Sequence, residues 1–245
     1  MPSILRPRLS FGVPVSLRGR AVDAIEIMDG LDCDPAMLDR TYAQFPVVNF
    51  VVSGWRSMYC RSIRPGLSTT RPSTLLDVGS GGGDVARSLA RWAARDGLRL
   101  EVTAIDPDPR AHAWASSRPG VRGLSFRRAL SSDLVAEGAR FDYVVSNHIL
   151  HHLNAAELQG VLADSEALAR RGALHADIAR GRLAYLGFSL GTWPFFHRSY
   201  IRPDGLTSIR RSFTATELRR VAPDGWRVRR GHPCRLELRW SATDA

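Results

Sequence analysis

The stretch LLDVGSGGGD, residues 75–84, runs three apolar residues and an acid into a cluster of glycines. The apolar residues read as the end of a buried strand, and the glycines as a sharp exit from that strand into a helix. Glycine permits the backbone angles and the close approach of a ligand that any side chain would block. Two familiar glycine patterns fail here. The dinucleotide fingerprint G-x-G-x-x-G meets Asp84 where its third glycine should fall. A phosphate-cradling loop needs Gly-Lys-Ser/Thr, and the chain contains no lysine. What remains is Asp77-x-Gly79-x-Gly81-x-Gly83, an acid at a strand end followed by alternate glycines.

Outward from this turn, strand-like and helix-like segments alternate in the rhythm of a parallel sheet. Thr74–Val78 is the first strand, and VARSLARWAAR is a helix that Gly97 ends. LEVTAID (100–106) is a second strand, followed by a helix with proline in its first turn. LSFRRA, FDYVVSN (141–147) and ALHADIA (173–179) supply three more strands, with AAELQGVLADSEALARR as a helix before the last of them. After an insertion at about 181–212, TATELRRVA is a helix, and GWRVRRGHPCRLELRW closes the chain as a hairpin through Gly231-His232-Pro233. Within the insertion, residues 202–211 read as a turn and a short extended link. Upstream, residues 31–71 carry a helical cap, with Leu38, Tyr42 and Phe45, then Val48, Val51, Val52, Trp55 and Tyr59 at helical spacing. Pro46 is expected to divide this cap into two helices. Residues 1–30 show little periodicity and read as a loosely held leader, leaving 72–245 as the core.

Composition limits the function classes. With 44% hydrophobic and 24% charged residues the chain reads as an ordinary globular protein. It has no apolar run of the roughly 18 residues that a spanning helix needs, and no secretory signal pattern, so a cytoplasmic setting is expected. The three cysteines, Cys33, Cys60 and Cys234, lack metal-ligand spacing and suit a reducing compartment. The net charge of +10 comes from arginines spread along the whole chain rather than from a basic arm. It therefore argues against nucleic acid as a partner and leaves peripheral contact with an anionic membrane open.

Two further signals accompany the glycine turn. Asp106 ends the second strand, ahead of Pro107, where an acid would accept hydrogen bonds from both hydroxyls of a ribose. Asp108 reads as support for the helix start. FDYVVSNHILHHL (141–153) then brings Asn147, His148, His151 and His152 to the end of the fourth strand.

Together these residues resemble the motifs of class I S-adenosylmethionine-dependent methyltransferases. The resemblance covers roughly residues 72–180. It implies an α/β, Rossmann-like sheet of seven strands, mostly parallel with an antiparallel last strand, with helices on both faces and an α-helical cap. It also implies S-adenosylmethionine as cofactor. That ligand has no phosphate, which suits a glycine turn without a cation. The implied cofactor residues are Asp77, Gly79, Ser80, Gly81, Gly83, Asp106, Pro107, Ala129, Leu130, Asn147 and His148, with Ala129 and Leu130 standing where the family often has an acid near the adenine. The Asp/Asn-Pro-Pro-Tyr/Phe motif of nucleic-acid amino-methyltransferases is absent.

Methyl transfer asks the protein to align an acceptor and remove its proton. His151 is the expected base, His152 a second candidate, and His197, beside two phenylalanines in the insertion, a reserve. No metal is expected, because a helix-borne pair wants His-x-x-x-His spacing and the adjacent His151-His152 should point apart. The aromatic residues of the cap and the insertion suit a flat, apolar acceptor. RTYAQFPVVNFVVSGWRSMY joined to SNHILHHL is similar to bacterial methyltransferases of aromatic polyketide and phenolic-lipid metabolism. That similarity implies O-methylation of a phenolic hydroxyl in secondary metabolism. Ring-carbon methylation of a quinol or polyketide is the alternative, and RNA methylation a more distant one.

Overall fold

The computed structural model describes residues 16–30 and 32–242. The N-terminal part forms α1 (Pro35–Val52) and α2 (Trp55–Met58), the latter continuing into a π-helical turn at Tyr59–Ile63. The core then runs β1 (Ser73–Val78), α3 (Asp84–Arg95), β2 (Leu100–Ile105), α4 (Pro109–Ser116), β3 (Leu124–Arg127), α5 (Ser131–Ala136) and β4 (Phe141–Asn147). It continues through α6 (Ala155–Leu168), β5 (Ala169–Ile178), α7 (Arg182–Thr192), α8 (Ile201–Arg211), α9 (Ala215–Val221), β6 (Arg227–Gly231) and β7 (Arg235–Ser241).

The seven strands form one sheet in the order β3-β2-β1-β4-β5-β7-β6. β7 pairs antiparallel with both β5 and β6, and the other pairings are parallel. This is the Rossmann-like α/β architecture expected from the alternating segments. β1 is buried along nearly its whole length, as a central parallel strand covered on both faces must be. One apolar layer joins α5, α6 and α9 to the sheet through Leu134, Leu158, Leu162, Leu168 and Leu218. The other joins α3 and the cap through Leu89, Trp55, Met58 and Tyr59. The order reverses at β1, between β2 and β4, and in such sheets ligands bind outside the strand ends at that switch point.

Three expectations change. α1 runs unbroken through Pro46, and the chain bends instead at Gly54, where φ is +64°. An internal proline costs a helix about 3 kcal/mol. Contacts on both sides of Pro46 offset that cost: Tyr42 packs on Trp114, and the Asn49 amide donates to Asp84 Oδ2 at 2.9 Å. Residues 202–211 form helix α8 rather than an extended link. Pro203 falls in its first turn, where backbone N–H groups have no intrahelical acceptor to lose.

The described part of the leader is held rather than loose; its residues 1–15 lie outside the described residues. Ala21 N–H donates to Arg210 O at 3.0 Å, the Ile27 and Met28 amides donate to the Asp204 carboxylate at 2.8 and 2.9 Å, and Glu26 is buried. A small apolar cluster of Leu38, Tyr42, Ala111 and Tyr200, with Met28 against it, ties leader, cap and insertion to α4. These parts close over the switch point.

Candidate active site

The site lies in one cavity of about 460 Å³ with two chemically different ends. At the first end, β1 delivers Asp77 and the chain turns through Gly79 and Gly81 with φ of +66° and +52°. A Cβ on Gly79 would lie 2.6 Å from Ile149 Cγ2, so packing alone requires glycine there. A Cβ on Gly81 would meet nothing within 4 Å, so that glycine borders open space. Gly83 does not line the cavity; it starts α3 and lies against the Phe126 ring. Asp106 braces the turn by accepting from Gly81 N–H at 2.8 Å and Asp108 N–H at 2.9 Å. Asp108 caps α4, as expected.

Asp77 is the informative residue at this end. It is buried, and neither carboxylate oxygen is within full hydrogen-bond geometry of a partner; the Ala86 amide nearby favours its charged form only weakly. Burial, with Asp84 and Asp106 adding repulsion, pushes its carboxyl well above the usual range. An unpaired buried carboxylate is costly, and a ligand ammonium would relieve it. The methionine part of S-adenosylmethionine carries such an ammonium, and the open space at Gly81 leaves it room, so the residues present fit the cofactor. Ser80, Pro107, Ala129, Leu130, Asn147 and His148 all line the same cavity. Asn147 Oδ1 accepts from Trp55 Nε1 at 2.9 Å, which ties the cap to the end of β4. His148 sits in the left-handed region at φ +60° while its amide holds Ala176 O. Asp133 takes the Leu130 amide as part of a helix cap.

The second end gathers residues far apart in sequence. His151 is fully enclosed, with Nδ1 at 2.7 Å from Asp177 Oδ1 and Nε2 at 3.4 Å from Glu26 Oε1. His152 Nδ1 lies 3.2 Å from Asp29 Oδ2, and its Nε2 lies 3.7 Å from the same Glu26 oxygen. The two rings lie side by side, with centroids 4.3 Å apart, and do not point apart as their adjacency suggested. The reason is local: residues 150–152 form a turn, not a helix, so neighbouring side chains share a face. Burial alone would lower the His151 pKa, but Asp177 and Glu26 outweigh it and lift it to about 9. The same contacts, against the effect of burial, draw Asp177, Glu26 and Asp29 below their ordinary values. Asp204, which also lines the cavity, is pushed by burial up to about 6.

The structure sets the expected base, His151, between two carboxylates that lift its pKa to about 9, which favours its protonated form at neutral pH. His197, the reserve candidate, is exposed and does not line the cavity. The sequence reading missed Glu26, Asp29, Asp177 and Asp204. Asp177 had a legible signal, an acid inside the apolar strand ALHADI. Glu26 and Asp29 had none beyond acids in an aperiodic leader.

The fold, the glycine turn and Asp77 fit those of class I S-adenosylmethionine-dependent methyltransferases, and residues 75–172 match the family described as Methyltransferase domain. S-adenosylmethionine is the cofactor of that class. Among curated proteins the chain is similar to a ubiquinone biosynthesis O-methyltransferase of Methylobacterium sp. (strain 4-46), 34% identical over 107 residues. That match covers 41% of this chain and 38% of the relative's length. Among solved structures it resembles the plantazolicin methyltransferase BpumL in complex with SAH, with TM-score 0.61 and 11% identity over 87% of this chain and 93% of the other. It also resembles magnesium protoporphyrin IX methyltransferase from Synechocystis PCC 6803 with bound SAM, with TM-score 0.54 and 14% identity over 89% and 98% of the two chains. At such identities the likeness is one of fold.

Proposed function

We propose that the protein transfers the methyl group of S-adenosylmethionine to a hydroxyl oxygen of a small aromatic acceptor, a phenol or quinol. The observation that carries this reading is the single cavity joining the unpaired Asp77 to the Glu26–His151–His152 cluster. The cavity must hold both cofactor and acceptor, which keeps the acceptor small. Phe45, Val48, Val52, Leu153, Phe188 and Ile201 give it apolar walls. Exposed Phe50, Val51, Leu186 and Leu190 on α1 and α7 extend the apolar surface outside it, in keeping with a hydrophobic acceptor and with contact at a membrane surface.

In this reading Asp77 holds the cofactor's ammonium, and Asp106 keeps the glycine turn in place while accepting from the ribose. Three carboxylates, Glu26, Asp29 and Asp177, face two imidazoles, so the cluster as a unit can take the acceptor's proton although His151 alone is already charged. The name of the curated relative supports an oxygen on a quinol-type ring, and secondary metabolism remains part of the proposal. Three free cysteines suit a cytoplasmic setting. The test is incubation with S-adenosylmethionine and a panel of catechols, alkylresorcinols, quinols and bulk tRNA, read by mass. A gain of one methyl at oxygen on a phenolic member is expected. A gain at ring carbon, or on tRNA alone, would overturn it.

A further inference from the structure

Glu26 Oε1 and one ring nitrogen each of His151 and His152 lie within 4.8 Å of one another, and no other group of three such residues does so among the described residues. We propose that these three side chains form a binding site for a divalent first-row transition ion, with its open positions facing the acceptor end of the cavity.

The spacing fits. Bonds of about 2.0–2.2 Å to nitrogen and oxygen place the donors of one ion roughly 3–4 Å apart, and Glu26 Oε1 lies 3.4 Å from His151 Nε2 and 3.7 Å from His152 Nε2. The orientation fits as well. Ligating histidines hold their second ring nitrogen against a carboxylate or carbonyl, which fixes the tautomer and the aim of the ring. Here Asp177 takes His151 Nδ1 at 2.7 Å and Asp29 takes His152 Nδ1 at 3.2 Å. Both Nε2 atoms are thereby turned toward Glu26. The Ser208 hydroxyl, 2.8 Å from Glu26 Oε1, orients the carboxylate in turn.

An independent observation points to a missing partner. His151 is buried, yet its Nε2 meets only the Glu26 carboxylate, at 3.4 Å and outside hydrogen-bond geometry. The cations nearby do not fill the place. Arg20 and Arg211 donate to the backbone carbonyls of His151 and His152 at 3.3 and 3.2 Å, and Arg211 otherwise approaches Asp29 at 3.8 Å.

The donor set selects the ion. Two imidazoles and a carboxylate suit Zn²⁺, Mn²⁺, Fe²⁺ or Co²⁺, whereas Ca²⁺ and Mg²⁺ ask for oxygen ligands and Cu(I) for sulfur. Three protein ligands leave coordination positions free, as in catalytic rather than structural sites. All three residues line the cavity that also holds Asp77 and Gly81, so an ion there shares that cavity with the cofactor. The role of the ion rests on the methyl-transfer reading. With the ion bound, the lone pairs of Glu26, His151 and His152 are on the metal, so the acceptor oxygen binds the ion and gives its proton to solvent rather than to the cluster; the O–C bond forms as the S–C bond breaks, and the sulfonium becomes a neutral thioether.

The test strips the full chain with a chelator, reloads it with Zn²⁺ or Co²⁺, and measures bound metal, with the visible absorption of Co²⁺ reporting its ligands. One ion per chain is expected. His152→Ala and Glu26→Gln should weaken binding at least about tenfold, with affinity for S-adenosylhomocysteine retained as the control for folding. His152 is partly exposed, so its replacement should disturb the fold less than replacement of the enclosed His151. No bound ion in the wild type, or equal binding by both variants, would overturn the site. These measurements need no acceptor, so the site stands or falls apart from the acceptor assignment. Chelation should abolish methyl transfer to an oxygen acceptor while cofactor binding persists; transfer indifferent to chelation would overturn the role of the ion.

Discussion

The two ends of the cavity are built in opposite ways. The cofactor end comes from residues 77–84 and 106–107, the exits of two adjacent parallel strands, and its backbone is held by its own side chains, as Asp106 holds Gly81. The other end, where the acceptor is proposed to bind, takes Glu26 from the leader, His151 and His152 from the turn after β4, Asp177 from β5 and Asp204 from α8. A ligand fixed by a strand-end turn needs only local geometry. A charged cluster sunk in an apolar wall needs several elements to supply its counter-charges, because each unpaired buried charge would cost more than any one element recovers.

The comparison breaks if the two ends do not separate in kinetics. The largest effect is expected from Glu26→Gln, which should lower kcat by about 10²-fold or more while leaving the cofactor Kd within a factor of about two. Single-turnover rates beside calorimetric cofactor titration measure both, and parallel losses would mean that the leader shapes the cofactor end too.

Asp77→Asn should weaken cofactor binding by about 10–100-fold, the value of a hydrogen bond to a charged group. The same change removes an unsatisfied buried acid, so the free protein should unfold at higher temperature than wild type. A variant that both binds cofactor normally and melts lower would show that Asp77 is structural.

A third measurement concerns the sheet beneath both ends. His175 is buried, contacts Ser146 Oγ at 2.7 Å and stacks on Trp226, and burial lowers its pKa to about 3. As pH falls below 6.5 the unfolded chain takes up the proton first. Stability is therefore lost between about 6.5 and 3, at up to about 1.4 kcal/mol per pH unit. In His175→Gln that part of the acid limb should vanish, so denaturant midpoints of the two proteins should converge from pH 7 to pH 4.5.

The smallest effect is a control. Asn154 caps α6 through Glu157 N–H at 3.0 Å, outside both ends, and Asn154→Ala should cost about 1 kcal/mol of stability with kcat and cofactor Kd unchanged.

The legibility of the site follows the same division. Asp77, Gly79, Gly81 and Asp106 could be read because spacing along one strand-turn-helix unit dictates where they stand. His151 and His152 could be located but not assigned: their partners Asp177, Glu26 and Asp29 lie up to 126 residues away in sequence, and partners set protonation. The helix at 201–211 was hidden by a proline whose position in the first turn depends on where the helix begins, and the surrounding packing decides that.

The alternation of apolar strands and amphipathic helices, with glycines at one strand exit, by itself determined the layered sheet, its switch point and the kind of cofactor it accepts. Only the tertiary structure decided that an aperiodic leader would bury Glu26 beside two histidines and gather Asp29 and Asp177 behind their rings. Local spacing encodes backbone geometry, whereas the charge state of a buried group depends on every element packed around it.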